Sequence, residues 1–283
     1  MDLDVTVGLG LAAAGAAVLG SMLGLGGGVF LVPLFTLFFG IDARIAIAAS
    51  AVSVVTNSVA GSSVHLRSGF TNVRLAMLLQ VTTAVGAIAG ALIAVDADLA
   101  VLNGVFGAVL IASAISMLIR RQAVVPNAPP DAPDPLRLRA EYIDPATGRT
   151  VAYIPRRLRA GVGASGVAGV LSGMLGIGGG AVQVPTMNLL MRVPVKAAAG
   201  TSTFMVGMTA VASAFVFYAD GLIDPRVVVP AMVGIFLGAR IGSQLTRRVR
   251  TQDLVVVFVL ILLYLGASLL LRAFGVTLPG QSE

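Results

Sequence analysis

The sequence has no cysteine, no tryptophan, a single histidine and few charged residues. Without cysteine the chain forms no disulfide, binds no metal through thiolates and has no cysteine nucleophile. One histidine, His65, does not suffice for a histidine-based metal site, so we predict neither a metal nor a cofactor. Charged residues make up 11% of the chain, against roughly 25% in soluble domains. This shortage of charge argues against a soluble globular protein.

Apolar residues dominate instead, at 57% of the chain with a mean hydropathy of +0.96. They recur in runs of about 20 residues, the length that crosses ~30 Å of hydrocarbon. The net charge of +6 comes from arginines between these runs, which is typical of the positive-inside rule and not of nucleic-acid binding. The start, Met1-Asp2-Leu3-Asp4, lacks the basic region of a signal peptide, so we expect the first apolar run to be retained. The composition predicts an all-α polytopic membrane protein whose surroundings are the lipid bilayer.

Ten apolar segments are predicted, five on each side of a polar stretch. The second segment of each group has only about 11 residues, or ~16 Å of helix, and either crosses the membrane with its predecessor or re-enters. The segments are Val5–Leu23, Val29–Phe39, Ala43–Val64, Val73–Val95, Leu99–Ile119, Ala160–Leu175, Ala181–Met191, Ala197–Tyr218, Val227–Leu245 and Leu254–Leu271.

The two groups of segments are copies of each other at an offset of 152 residues. Gly24-Leu25-Gly26-Gly27-Gly28 lies over Gly176-Ile177-Gly178-Gly179-Gly180, and the same shift superposes Pro33 on Pro185 and Arg74 on Arg226. No gap is needed over about a hundred residues, and chance matching of apolar residues does not align glycine, proline and arginine together. We therefore predict a first membrane repeat at residues 1–119, a linker at 120–159 and a second membrane repeat at 160–283.

Charge predicts that the repeats are inserted in opposite directions. The linker is rich in arginine, which places it in the cytoplasm and the N-terminus in the periplasm of a bacterial inner membrane. Asp96 and Asp98 of the first repeat are replaced by Arg247, Arg248 and Arg250 in the equivalent loop of the second. Such a swap is typical of inverted-topology repeats. Within the linker, residues 141–154 predict a small β-hairpin, either a simple tether or a regulatory element.

The triple glycines predict a helix break at the start of each repeat. Each glycine in a helix interior costs ~1 kcal/mol relative to alanine, and a broken helix in lipid is tolerated only where protein or a wet cavity surrounds it. The short helix after each break points N–H groups and a partial positive charge at the break, which suits an anion. Inverted repeats bring two such breaks together near the midplane. The alternative is that the glycines only allow close helix packing.

This motif resembles the repeated motif of the TauE/SafE sulfite exporter family, also called the four-toluene sulfonate uptake family. The pattern Gly-x-Gly-Gly-Gly-x-x-x-x-Pro occurs twice, on Gly24, Gly26, Gly27, Gly28 and Pro33, and on Gly176, Gly178, Gly179, Gly180 and Pro185. Ala199-Gly200-Thr201-Ser202-Thr203 is similar to a second family region. The resemblance covers nearly the whole chain apart from the linker, which is longer than the family pattern. It implies transport of small sulfur-containing anions such as sulfite, thiosulfate or organosulfonates.

Polar residues near the breaks are the candidates for substrate contact, because hydroxyls and amides donate to anion oxygens without burying a full charge. For each of them an interhelical hydrogen bond is the alternative role. Arg240 lies deep in its segment and either attracts the anion or extends to the surface, and we expect His65 to be a solvated residue at the membrane interface. The substrate-binding candidates are Gly26, Gly27, Gly28, Gly178, Gly179, Gly180, Gln183, Ser50, Asn57, Thr201, Ser202, Thr203 and Arg240, with Gly24, Pro33, Gly176 and Pro185 as structural residues.

The predicted function is a secondary transporter that moves small sulfur-containing anions by alternating access, rocking one repeat against the other. The alternative is an anion channel or facilitator of the same fold. An enzyme is not expected, because no Ser/His pair, carboxylate pair or metal cluster lies within the apolar runs. The sequence leaves open which anion is moved, in which direction, with which coupling ion and in what oligomeric state.

Overall fold

A computed structural model describes residues 3–23, 27–67, 69–120, 133–143, 148–245 and 251–276. Within these residues the fold is a bundle of ten α-helices with one two-stranded sheet. The elements are α1 (Leu3–Leu23), α2 (Gly28–Phe38), α3 (Ala43–Arg67), α4 (Val73–Asp96), α5 (Leu99–Arg120), β1 (Ala140–Ile143), β2 (Thr150–Tyr153), α6 (Leu158–Leu175), α7 (Gly180–Pro185), α8 (Val195–Ala219), α9 (Pro225–Leu245) and α10 (Thr251–Ala273).

Seven of the described helices are long and apolar enough to cross a membrane, namely α1, α3, α4, α5, α6, α8 and α9. The chain is therefore a multi-pass membrane protein. The second segment of each group is short, as predicted: α2 has 11 residues and α7 has 6.

The predicted single helix over Ala181–Met191 differs from the structure. Helix α7 ends at Pro185, and a π-helical turn follows over Thr186–Leu190. The Met191 N–H reaches back five residues to the Thr186 carbonyl at 3.1 Å. Proline has no N–H for the α-helical ladder, and the wider turn begins directly after it. Such π-helical turns are rare and frequently lie at functional sites.

Glycines set the close packing of α4 against α6 and of α9 against α1. A Cβ added at Gly90 of α4 would overlap the Val170 carbonyl oxygen of α6. A Cβ added at Gly242 of α9 would overlap the Val18 carbonyl oxygen of α1. Backbones approach this closely only where both faces carry small residues, which is the packing mode of helices in lipid.

Helices α3 and α8 cross the middle of the bundle in antiparallel directions. Ser58 of α3 donates to the Thr203 carbonyl of α8 at 2.7 Å. Farther along, Phe70 beyond the end of α3 leaves room only for a glycine at position 200 near the start of α8. Both helices carry a long buried face, so they position any group that the bundle encloses.

The two strands form an antiparallel β-hairpin within the segment for which the sequence predicts one. Ala140 lies opposite Tyr153, and Tyr142 lies opposite Val151. Tyr142 and Tyr153 are 8% and 2% exposed, and they pack against the start of α4, the π-helical turn and the start of α8. Burial of Tyr153 raises the pKa of its hydroxyl to about 12, partly offset by the Asn72 side chain. We call this end of the bundle the β-hairpin end.

Hydrogen bonds from the Asn72 side chain and from the backbone fasten the linker to the same end. The Asn72 amide donates to the Leu138 carbonyl at 2.8 Å, and its oxygen caps α4 by accepting from the Leu75 N–H at 3.1 Å. The Arg156 N–H donates to the Met191 carbonyl at 2.9 Å, after the π-helical turn. The linker is therefore tied to elements from both halves of the chain.

Candidate functional site

The second glycine break reverses the chain between α6 and α7. Gly176, Gly178 and Gly179 have φ angles of 62°, 70° and 85°, a region that side chains with a Cβ rarely adopt. The Gly179 carbonyl then accepts from the N–H groups of Val182 at 3.1 Å and Gln183 at 2.8 Å, which starts α7. Ala and larger residues would strain this turn, so the local sequence dictates where the helix stops.

The first break is described from Gly27 onward, and Gly24 and Gly26 lie outside the described residues. Gly27 has a φ of 75°, and its carbonyl accepts from Phe30 at 3.1 Å and Leu31 at 3.3 Å. Helix α2 therefore starts as α7 does, directly after a glycine in the left-handed region. No side chain caps either helix start, so the first N–H groups of α2 are left to backbone, ligand or water.

The two breaks touch each other. A Cβ built on Gly28 would lie 3.0 Å from the Ile177 Cα and 2.9 Å from the Ser50 hydroxyl. Ser50 donates to the Gly176 carbonyl at 2.8 Å and to the Gly28 carbonyl at 3.4 Å. A single serine on α3 thus joins the start of the second break to the end of the first.

A pair of valines closes the contact between the breaks. A Cβ on Gly178 would lie 2.6 Å from a methyl of Val54 on α3 and 2.5 Å from a methyl of Val206 on α8. Val54 and Val206 are 0% and 1% exposed. The Val54 and Val206 side chains therefore fill the space beside Gly178, and we call these two residues the apolar plug.

Several polar side chains around this centre are buried without hydrogen-bond partners among the described residues. Both amide atoms of Asn57, the Ser202 hydroxyl and the Gln183 amide oxygen belong to predicted site residues. Ser53 on α3 and Ser172 on α6 share this property. Buried polar groups are nearly always paired in folded proteins, so each of these atoms is a position where water or a ligand can supply the partner.

Thr201 and Thr203 serve the packing of helices and do not face the breaks. The Thr201 hydroxyl accepts from the Asn72 N–H at 3.0 Å, which joins α8 to the start of α4. The Thr203 hydroxyl donates to the Ala199 carbonyl at 2.9 Å within its own helix. Thr201 therefore has the interhelical hydrogen bond that was the alternative role, whereas the Thr203 hydroxyl bonds within α8.

Arg240 and His65 lie away from the breaks. Arg240 is exposed on α9, and its guanidinium carbon lies 4.8 Å above the Phe236 ring. The structure therefore places it on the outer surface, which agrees with the surface alternative. The expectation of a solvated His65 is wrong: this residue is 7% exposed and packs against Phe70 at a ring distance of 6.4 Å.

The chemistry available at the breaks is that of neutral donors. No group of three His, Cys, Asp or Glu residues occurs in the described part of the chain. An apolar pocket of about 300 Å³ lies on α3, α8 and α9, lined by Val52, Thr56, Phe215, Tyr218 and Met232 among others. It faces outward and offers an anion almost no donors, so it is separate from the break site.

Ser172 and Ser165 on α6 lie beside the second break and its short helix, and the sequence reasoning did not name them. Ser172 lies against Gly179, 3.3 Å from where a Cβ on that glycine would be, and Ser165 accepts from the Gln183 amide at 2.9 Å. A serine in a glycine-rich helix is typical of close packing, which concealed them. The available signal was the offset of 152 residues, at which the matching positions carry Gly20 and Ala13.

A bundle of apolar spanning helices with two meeting helix breaks defines the class of multi-pass membrane transporters, not of enzymes. The family model for the sulfite exporter TauE/SafE matches residues 9–269. The chain therefore belongs to the sulfite exporter TauE/SafE family.

Curated relatives are similar over almost their whole length. The probable membrane transporter protein YunE of Bacillus subtilis (strain 168) is 23% identical over 277 residues, covering 95% of this chain and 98% of that protein. A probable membrane transporter protein of Xylella fastidiosa (strain 9a5c) is 29% identical over 251 residues, 87% of this chain and 86% of the relative. MJ0441, a probable membrane transporter protein of Methanocaldococcus jannaschii, is 25% identical over 269 residues, 90% and 91% of the two chains. No solved structure matches the chain.

Proposed function

We propose that the protein is a secondary transporter that moves small sulfur-containing anions, such as sulfite, thiosulfate or organosulfonates, by alternating access. The observation that carries this proposal is the contact between the two glycine breaks, with buried and unpartnered polar groups around it. The N-terminus of α2 adds about half a positive charge. Neutral donors and helix dipoles stabilise an anion without the desolvation cost of burying an arginine.

Exchanged contacts support two inverted repeats, at residues 1–119 and 160–283, joined by the linker at 120–159. The contact of Gly90 with Val170 and the contact of Gly242 with Val18 are the same contact with the halves interchanged, because Gly242 and Val170 lie 152 residues after Gly90 and Val18. Val54 and Val206, which flank Gly178, are also related by this shift. A pseudo-two-fold axis interchanges contacts in this way. The equivalent helices α3 and α8 run antiparallel, which supports an axis in the membrane plane and therefore inverted repeats.

Charge supports a cytoplasmic β-hairpin end in a bacterial inner membrane, with the N-terminus on the periplasmic side. Arg74 donates to the Arg137 carbonyl at 2.9 Å at the β-hairpin end. At the opposite end, Asp42 and Asp224 receive backbone N–H groups at the starts of α3 and α9. Arg44 and Arg226 also lie at that opposite end, but Asp96, Asp98 and Asp220 lie there too. The excess of basic residues is therefore at the β-hairpin end, which fits the positive-inside rule.

The apolar plug supports a transporter over a channel or facilitator. Val54 and Val206 fill the space beside the second break, and the docked β-hairpin covers one end of the bundle. A route that is shut at two levels requires a conformational change for each passage, as alternating access does.

A binding screen on the purified protein tests the proposal. Sulfite, thiosulfate, sulfate, taurine and aromatic sulfonates are added separately, and thermal unfolding is measured. One of the sulfur anions should raise the unfolding temperature, because a ligand that binds only the folded state stabilises it. The Gly179→Val variant should lose this stabilisation, since its backbone is already at a φ of 85° and Ser172 contacts it.

Gly221→Val is the matched control. Gly221 also has a positive φ of 69°, but a Cβ there meets nothing within 4 Å, so the variant carries the backbone strain without touching the breaks. Stabilisation by no sulfur anion, or equal loss in both variants, contradicts the proposal. Counterflow in proteoliposomes indicates a transporter, whereas a large unitary conductance indicates the channel.

A further inference from the structure

The second half of the chain carries buried polar residues between α6 and α7 that the first half lacks. Ser165, Ser172 and Gln183 are 0%, 0% and 2% exposed. At the offset of 152 residues their counterparts are Ala13, Gly20 and Leu31. Apolar residues therefore suffice for this packing, and burying polar groups in their place costs free energy unless they have partners.

These three residues form a row from the second break toward the β-hairpin end. Ser172 lies in the last turn of α6 against Gly179. Ser165 is seven residues earlier, ~10 Å nearer the β-hairpin end on the same helix. Gln183, one turn into α7, donates to the Ser165 hydroxyl at 2.9 Å. We call these three residues the polar row.

The polar row has unused hydrogen-bonding capacity. The Ser172 hydroxyl and the Gln183 amide oxygen have no partner among the described residues. The orientation of the Gln183 amide is interchangeable, so Ser165 can donate to its oxygen and leave the NH₂ group free to bind an anion. Hydroxyl and amide donors at successive depths are what a desolvated anion needs between a binding site and water.

We propose that the polar row lines the inner half of the anion path, so that the anion passes between α6 and α7 on its way between the breaks and the β-hairpin end. This inference rests on the proposed function. It makes the path asymmetric: the half toward the β-hairpin end is polar, and the equivalent half of the first repeat, at Ala13, Gly20 and Leu31, is apolar and serves packing.

Cysteine accessibility tests the polar row, because the chain has no native cysteine. The variants Ser165→Cys and Ser172→Cys are nearly isosteric and are treated with a membrane-impermeant thiol reagent from either side of sealed vesicles. Thr150→Cys, on the exposed part of β2, reports which side carries the β-hairpin. Ala13→Cys is the counterpart in the first repeat. Ser268→Cys controls for any buried serine, since Ser268 is 1% exposed and also has an unpartnered hydroxyl.

Both polar-row variants should react from the side that Thr150→Cys reports, at least about ten-fold faster than the Ala13→Cys and Ser268→Cys variants, since a buried thiol is inert. The bound sulfur anion should slow the reaction. Gln183→Leu, the residue of the first repeat, should reduce flux while the protein remains folded. Reaction only from the opposite side, or no faster than the Ser268→Cys variant, overturns the polar row. Reaction from the expected side without protection by any sulfur anion keeps the polar row and contradicts the proposed substrate.

Discussion

The glycine at position 90 offers a direct test of how the bundle is held together. A Cβ there would overlap the Val170 carbonyl oxygen and lie 2.8 Å from the carbonyl carbon and 2.9 Å from the Met174 nitrogen, where ordinary contacts begin at 3.4 Å. The nearest atoms are backbone, which cannot turn aside as a side chain would. Gly90→Ala therefore forces α4 and α6 apart by more than half an ångström at this contact.

The expected cost follows from overpacking. Inserting one extra methyl group into a well-packed interior destabilises by about 1–3 kcal/mol, and this exceeds the ~1 kcal/mol that alanine gains over glycine in helix propensity. Thermal unfolding of the purified protein in detergent, followed by helical circular dichroism, measures the difference. We expect a lower unfolding temperature for Gly90→Ala than for the unaltered protein.

Gly163→Ala is the matched control on the partner helix. Gly163 is exposed on α6, and a Cβ there meets nothing within 4 Å. This variant gains helix propensity without overlap, so it should be at least as stable as the unaltered protein. Equal stability of the Gly90→Ala and Gly163→Ala variants would refute the view that close backbone contact holds α4 and α6 together.

Three further predictions concern the breaks and the β-hairpin. Ser50→Ala removes a 2.8 Å hydrogen bond to the buried Gly176 carbonyl and should destabilise by about 1–3 kcal/mol, with a smaller loss for Ser268→Ala as the comparison in thermal unfolding. Burial raises the pKa of Tyr153 from 10.0 to about 12. Its neutral form therefore stabilises the fold fully below pH 10, and this contribution is lost as the pH rises through about 12. Ultraviolet titration of tyrosinate should show a late-titrating group that is absent in Tyr153→Phe. Asn72→Ala removes the α4 cap and the hydrogen bond to Leu138, which should lower the stability of the fold by about 1–2 kcal/mol. Limited proteolysis should then cut the β-hairpin faster than in the unaltered protein. An unchanged rate of cleavage would show that Asn72 does not fasten the β-hairpin.

Helix positions could be predicted well because span length and charge decide them. The segments predicted at Val73–Val95 and Leu99–Ile119 differ by one residue at one end from α4 and α5. The glycine motif correctly located the end of α6 and the start of α7. In lipid these boundaries depend on where apolar runs and helix breakers occur, and both are visible in sequence.

Which side of each helix faces the protein interior could not be predicted from the sequence. A membrane helix is apolar on every side, so hydrophobic periodicity does not distinguish the buried face from the lipid-facing one. Arg240 therefore stayed a candidate although it lies on the outer surface of α9. Thr203 stayed one although its hydroxyl bonds within α8. Ser172 was overlooked because only the fold places it against Gly179.

The docking of the β-hairpin has a mechanical consequence. Its two buried tyrosines contact α4 from the first half and the π-helical turn from the second, so the halves cannot separate at this end until that burial is given up. Under the proposed alternating access, the docking free energy would set the population of the state that is open at this end, and each ~1.4 kcal/mol of it changes that population tenfold. In that proposal the connector between the two halves would also control how often this end of the bundle opens.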